Sequence, residues 1–171
     1  MLGSRLFFLC AFLIFLMSVR VHGQDSTRVL SAKEITQLLP EYIKDFQKSG
    51  APVSKVIKVG SIQYSVCDKR FLKGQQRIKF LLFDFKETSI MYSQAIKKWS
   101  LATSVETDSL VQRPLVVKNC TGWETDNRKM SSSQIFLGIY NRFFLTIEGE
   151  HVELEKLKAV LQEVDMSKFP K

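Results

Sequence analysis

The chain has 171 residues with a formal charge of +8, 45% of them hydrophobic and 25% charged. That is enough for one domain with its own core. Two histidines and three cysteines, none at short mutual spacing, argue against a structural or catalytic zinc site. The chain also lacks the glycine-rich loops that cradle nucleotide phosphates and the G-x-S-x-G turn that presents a serine nucleophile.

Residues 1–23, "MLGSRLFFLCAFLIFLMSVRVHG", place one early arginine before an apolar run from Leu6 to Met17 and end in Val21-His22-Gly23. This is the pattern of a secretory signal peptide. The run is shorter than the roughly 20 residues that span a bilayer, so a transmembrane anchor is the weaker reading. The expectation is an exported protein, periplasmic or extracellular, folded as one domain over residues 24–171. Removal of the leader leaves 23 basic against 17 acidic residues. That surplus favours an acidic partner, an envelope protein or an anionic surface, without specifying which. Cys67 and Cys120 are the remaining thiols. A bridge between them in an oxidising compartment would close a loop of about 54 residues, worth roughly 4 kcal/mol if the geometry allows it.

Ser31-Ala32-Lys33-Glu34 has the form of a capping box, followed by Ile35, Leu38 and Leu39 at helical spacing and by Pro40, which interrupts the helix. Tyr42, Ile43 and Phe46 continue an amphipathic covering segment. From Val53 the period becomes two, with Ile62, Tyr64 and Val66 expected on the buried face of a strand and Gln63, Ser65 and Cys67 on the other. After a turn near Lys73-Gly74, "RIKFLLFDFK" is apolar on both faces, which predicts a central strand covered on each side. Thr88 or Ser89 starts a helix to about Ser100, striped by Met91, Tyr92, Ala95, Ile96 and Trp99. "LATSVETDSLVQRP" reads as a loop. Leu115 to Glu124, Gln134 to Ile139 and Arg142 to Gly149 read as three further strands, the last two joined by a tight turn at Tyr140-Asn141.

The final strand hands over to a helix. In "RFFLTIEGEHVELEKLK", Leu154, Leu157, Leu161 and Val164 recur at three- and four-residue steps, and Glu153 and Glu155 fall in the first turn, where negative charge complements the helix dipole. A catalytic carboxylate pair needs convergence on one cleft with separated pKa values; the spacing of these glutamates requires neither, and His151 reads as a loop residue. The whole predicts an α+β fold of about five antiparallel strands in the order α-β-β-α-β-β-β-α.

"NRFFLTIEGEHVELEKLKAVLQEVDMSKF", together with "SAKEITQLLPE", Asp84 and "CTGWETDNR" upstream, resembles a pattern in exported bacterial proteins of uncharacterised function. Its positions here are Arg142, Phe143, Gly149, Leu157, Lys158, Asp165 and Phe169. The resemblance implies a sheet with helical cover similar to that of PsbP, an extrinsic photosystem subunit. It implies no activity and no cofactor, and the two cysteines are not part of it.

One basic stretch stands out. "CDKRFLKGQQRIK" groups Lys69, Arg70, Lys73 and Arg77 about a hairpin turn, as a patch for an anion or acidic partner; edge lysines that block strand-on-strand association are the plainer reading. A nucleic-acid role is not expected of an exported chain. No catalytic, cofactor or metal site is read from the sequence. The expected function is a non-catalytic binding or interaction module. The alternatives are a thiol-dependent enzyme or redox protein using Cys67 or Cys120, and a small-molecule carrier, which would require a cavity of a few hundred Å³ between helix and sheet.

Overall fold

A computed structural model describes residues 28–100 and 102–171; the leader reading, residues 1–23, lies outside the described residues. The capping box forms as the sequence predicts. Ser31 Oγ accepts the Glu34 amide, and the Glu34 carboxylate accepts the Ser31 amide at 2.8 Å, starting helix α1, Ala32–Gln37. The helix stops short of Pro40, and Ile43 and Phe46 are then buried on a tight turn rather than on a restarted helix.

Strands β1 (Gln47–Lys48), β2 (Val53–Val59), β3 (Ile62–Lys73) and β4 (Gln76–Asp84) precede helix α2 (Ser89–Ser100). Strands β5 (Val105–Glu106), β6 (Leu110–Val117), β7 (Cys120–Asn127), β8 (Ser132–Ile139) and β9 (Phe143–Glu150) follow, then helix α3 (Leu154–Gln162). All pair antiparallel in one sheet of order β1-β3-β4-β9-β8-β7-β6-β5, with β2 also on β3. The sheet is thus two meanders, β2-β3-β4 and β5 to β9, joined where β4 meets β9.

This corrects the five-strand, PsbP-like α+β expectation. The described residues form a sheet-dominated fold of nine strands with three small helices. Two apolar runs that read as single strands are hairpins folded at two-residue turns. One is Gly60-Ser61; the other is Lys118-Asn119, where both residues have positive φ, 47° and 67°. Such turns match the twist of paired strands and leave little mark on hydropathy. The expected loop 101–114 contains β5 and most of β6. Pro114 sits within β6 because β5 pairs only as far as Gln112, so no strand needs the missing amide.

Facing assignments also differ on β3. The buried face carries Ser65, Cys67, Lys69 and Phe71, while Tyr64 and Val66 are half-buried on the other. The core lies on the Cys67 side, where Phe80, Leu82, Leu145, Ile147, Ile135 and Leu137 are wholly buried under α1 and α3. Leu154, Leu157, Val160 and Leu161 seat α3 there, each contributing about 1.5–3 kcal/mol. As predicted, β4 is central and apolar on both faces. Helix α2 covers part of the second face: Trp99 stacks on Phe144 at 5.3 Å and approaches Phe136 at 6.0 Å. A Cβ at Gly138 would lie 2.6 Å from the Tyr92 hydroxyl, so glycine permits that close approach.

At one end of the sheet Asp84 and Arg142, both buried, form a two-pronged ion pair with contacts of 2.7 Å. Asp84 also accepts the amides of Leu30 and Lys86, and Arg142 donates to the Arg28 carbonyl. The pair ties the first described residues to the β4 terminus and the β8–β9 turn, and accounts for two positions of the sequence pattern by structure alone.

Candidate functional site

The core-facing side chains of β7 run Cys120, Gly122, Glu124, Asp126, with no large apolar residue among them, while α3 begins only at Leu154. Helical cover therefore gives out over the β5–β7 flank, at the end of the sheet opposite the Asp84–Arg142 pair. An open cleft of about 630 Å³ results, within the range of small-molecule sites. Val111, Val152 and Leu154 supply its apolar surface; Glu106, Asp126, Glu153 and Glu155 supply carboxylates, with Arg113, Arg128 and His151 beside them.

The polar groups are held in several ways. Ser133 Oγ lies 2.8 Å from Asp126 Oδ1 and 3.0 Å from the Val152 carbonyl and shares its one proton between these two acceptors, tying β8 to the segment before α3. His151 takes positive φ (55°), and its amide donates to the Ser131 carbonyl at 2.7 Å, so the turn that carries the imidazole is fixed at both strands. Glu124, buried behind the cleft, accepts from Arg113 Nε at 2.6 Å and lies 3.5 Å from Lys158 Nζ; its other oxygen has no partner. The bond to Glu124 raises the pKa of Arg113, and the bond to Glu155 raises that of Lys158. Glu106 and Glu153 carry no ion pair among the described residues. The lining holds four carboxylates to two guanidinium groups, an acidic concavity on a basic chain. Such a lining favours positive over negative charge; the described residues contain no group of three or more His, Cys, Asp or Glu side chains placed to hold a metal ion.

The residues singled out in the sequence are distributed elsewhere. Lys69 points into the core face, 2% exposed, with its ammonium 2.7 Å from Glu41, and burial pushes its pKa down. Arg70 pairs with Asp68 at 2.7 Å, Lys73 with Asp45 at 3.6 Å and Arg77 with Glu150 at 3.1 Å. The four are not brought together, and each has a carboxylate partner. Glu148 and Glu150 project from the second face, onto Lys79 and Arg77, while His151 lines the cleft. The three do not converge.

Cys67 and Cys120 are free and buried. Cys67 is opposite Leu82, Leu82 opposite Leu145, Leu145 opposite Leu137, and Leu137 opposite Gly122, two residues from Cys120. Four strand steps of about 4.8 Å put roughly 19 Å of sheet between them, where a bridge needs Cα atoms within about 7 Å. Cys67 Sγ meets Thr36 Oγ1 at 3.9 Å, and burial pushes the Cys120 thiol up. A reactive thiol calls for exposure and a depressed pKa.

Glu106, Arg113, Glu124 and Asp126 were not singled out by the sequence. Their signal was present but faint: charged residues on the inward parity of β7, opposite Ser133, Ile135, Leu137 and Ile139 on the inward parity of β8. Reading it required the register, hence the hairpin turn at Lys118-Asn119.

No family model matches the chain, and no curated protein matches it. One solved structure, described as a GTP binding regulator from Thermotoga maritima, superposes over 77% of this chain and 84% of that one, with 15% sequence identity and a TM-score of 0.45. That likeness carries no argument about function. No helix among the described residues is long and apolar enough to cross a membrane.

Proposed function

We propose that the protein is an exported, non-catalytic binding module whose ligand site is the cleft between the start of α3 and the β5–β7 flank of the sheet. One observation carries this: a cleft of about 630 Å³ in which side chains from β5, β6, β7 and the His151–Glu155 segment converge. The proposed ligand class is a small solute with one or more amines, because unpaired Glu106 and Glu153 face a space whose other carboxylates already have partners. The carrier alternative, for an apolar or anionic solute held between helix and sheet, is less favoured by a lining with four carboxylates. Export rests on the leader's sequence pattern.

Thermal shift with spermidine as probe tests this. Stabilisation by a few degrees at millimolar probe, lost in Glu106→Gln/Glu153→Gln, supports the reading. An equal shift in that variant, or none in either protein, removes the cleft as the site. The thiol alternative has less support: both sulfurs are buried, and a nucleophile must reach its substrate.

A further inference from the structure

We propose that the end of the sheet opposite the cleft docks on an anionic lipid bilayer, with the β2–β3 hairpin as its leading edge. Pairing of β3 with β4 ends at Ser65 opposite Asp84, but β2 and β3 continue through Ile57–Tyr64, Lys58–Gln63 and Val59–Ile62. A two-stranded ribbon therefore overhangs the sheet by about 10 Å. Its large side chains are turned outward: Val59 is 65% exposed and Ile62 42%. The start of α2, the β6–β7 turn and the β8–β9 turn lie at this same end, since Asp84, Phe143, Ile139 and Cys120 form one row of the sheet. Ile90 and Val116 add exposed apolar surface there, at 72% and 73%.

The charge of this end is one-sided. Residues 55–63, 85–90, 116–120 and 165–171 carry Lys55, Lys58, Lys86, Lys118, Lys168 and Lys171, against Glu87 and Asp165. Lys55, Lys58, Lys86 and Lys118 form no ion pair among the described residues. No acid occurs between Asp45 and Asp68. Protruding aliphatic side chains on a sheet end that carries six lysines against two acids match an interface that is apolar beneath and anionic above. An acidic protein would satisfy the lysines but leave Val59 and Ile62 without a role. Docked this way, the chain holds the cleft away from the bilayer and open to solution. The proposal stands apart from the cleft reading and does not depend on it.

The test is co-sedimentation of the protein, in the form its expression host yields, with vesicles of phosphatidylglycerol and phosphatidylcholine, and with phosphatidylcholine alone. Binding to the anionic vesicles that falls with added salt is expected. Each basic residue near such a surface is worth about a factor of five, so Lys55→Gln/Lys58→Gln should lower the partition coefficient roughly 25-fold. The control is Lys44→Gln/Lys129→Gln, which removes equal charge from the opposite end and should change it less than about twofold. Val59→Ser/Ile62→Ser should weaken binding while leaving the salt dependence in place. Equal losses from the two lysine variants would overturn the proposal in favour of net charge alone. Absence of vesicle binding at low salt, including any case in which only an acidic protein is bound, would overturn it outright.

Discussion

Replacing Asp84 with alanine isolates the buried ion pair on which one end of the molecule depends. The substitution removes the acceptor of two Arg142 bonds and of the Leu30 and Lys86 amides. Arg142 is 3% exposed, and its Nη1 already lacks a partner. A guanidinium left uncompensated in the interior costs about 3–5 kcal/mol. For a domain of this size 1 kcal/mol moves Tm by roughly 2–4 °C, so a loss of about 6–20 °C is expected by calorimetry. Asp84→Leu/Arg142→Met removes both charges and should recover part of that loss, less the cost of the orphaned amides. A single variant melting within about 2 °C of the wild type, or a double variant no better than the single, would show that the ion pair does not hold this end together.

Gly138→Ala should destabilise by about 1–3 kcal/mol, because the new methyl group meets the Tyr92 hydroxyl; Tyr92→Phe in the same chain should relieve most of the loss in urea unfolding. The Glu34 carboxyl is lowered to about 2, chiefly by its bond from Arg28 and then by Ser31. Its folded pKa lies below the unfolded one, so its stabilisation is present above about pH 4.5 and disappears as the pH falls towards 2. Partial exposure discounts that contribution to about 1 kcal/mol; Glu34→Gln should cost that much at pH 6 and almost nothing near pH 2, read from urea midpoints. Cys67 and Cys120 should both react with a thiol reagent in denaturant and only slowly in the native state; a peptide map that finds the two joined by a disulfide would contradict the strand register.

Some of this architecture is legible in the sequence. The capping box at Ser31–Glu34, the α2 stripe, the central character of β4 and the Tyr140-Asn141 turn are local patterns, each written in consecutive residues. Strand number was not legible, because Gly60-Ser61 and Lys118-Asn119 interrupt apolar runs with turns too short to alter their period. The facing of β3 was inverted for a related reason. Lys69 and Cys67 read as solvent-side residues, yet Glu41 neutralises the former and α1 covers the latter, both contacts from distant sequence. The cleft was least accessible of all: its four carboxylates come from three separate segments, and only the sheet register places them around one space.

The most direct measurement on the binding reading is an amide chemical-shift map during titration with spermidine. Perturbations should concentrate at Glu106, Asp126 and His151 to Glu155, with the β2–β3 hairpin unmoved. Shifts spread over the surface acids at large, or a spectrum unchanged at millimolar spermidine, would contradict that reading.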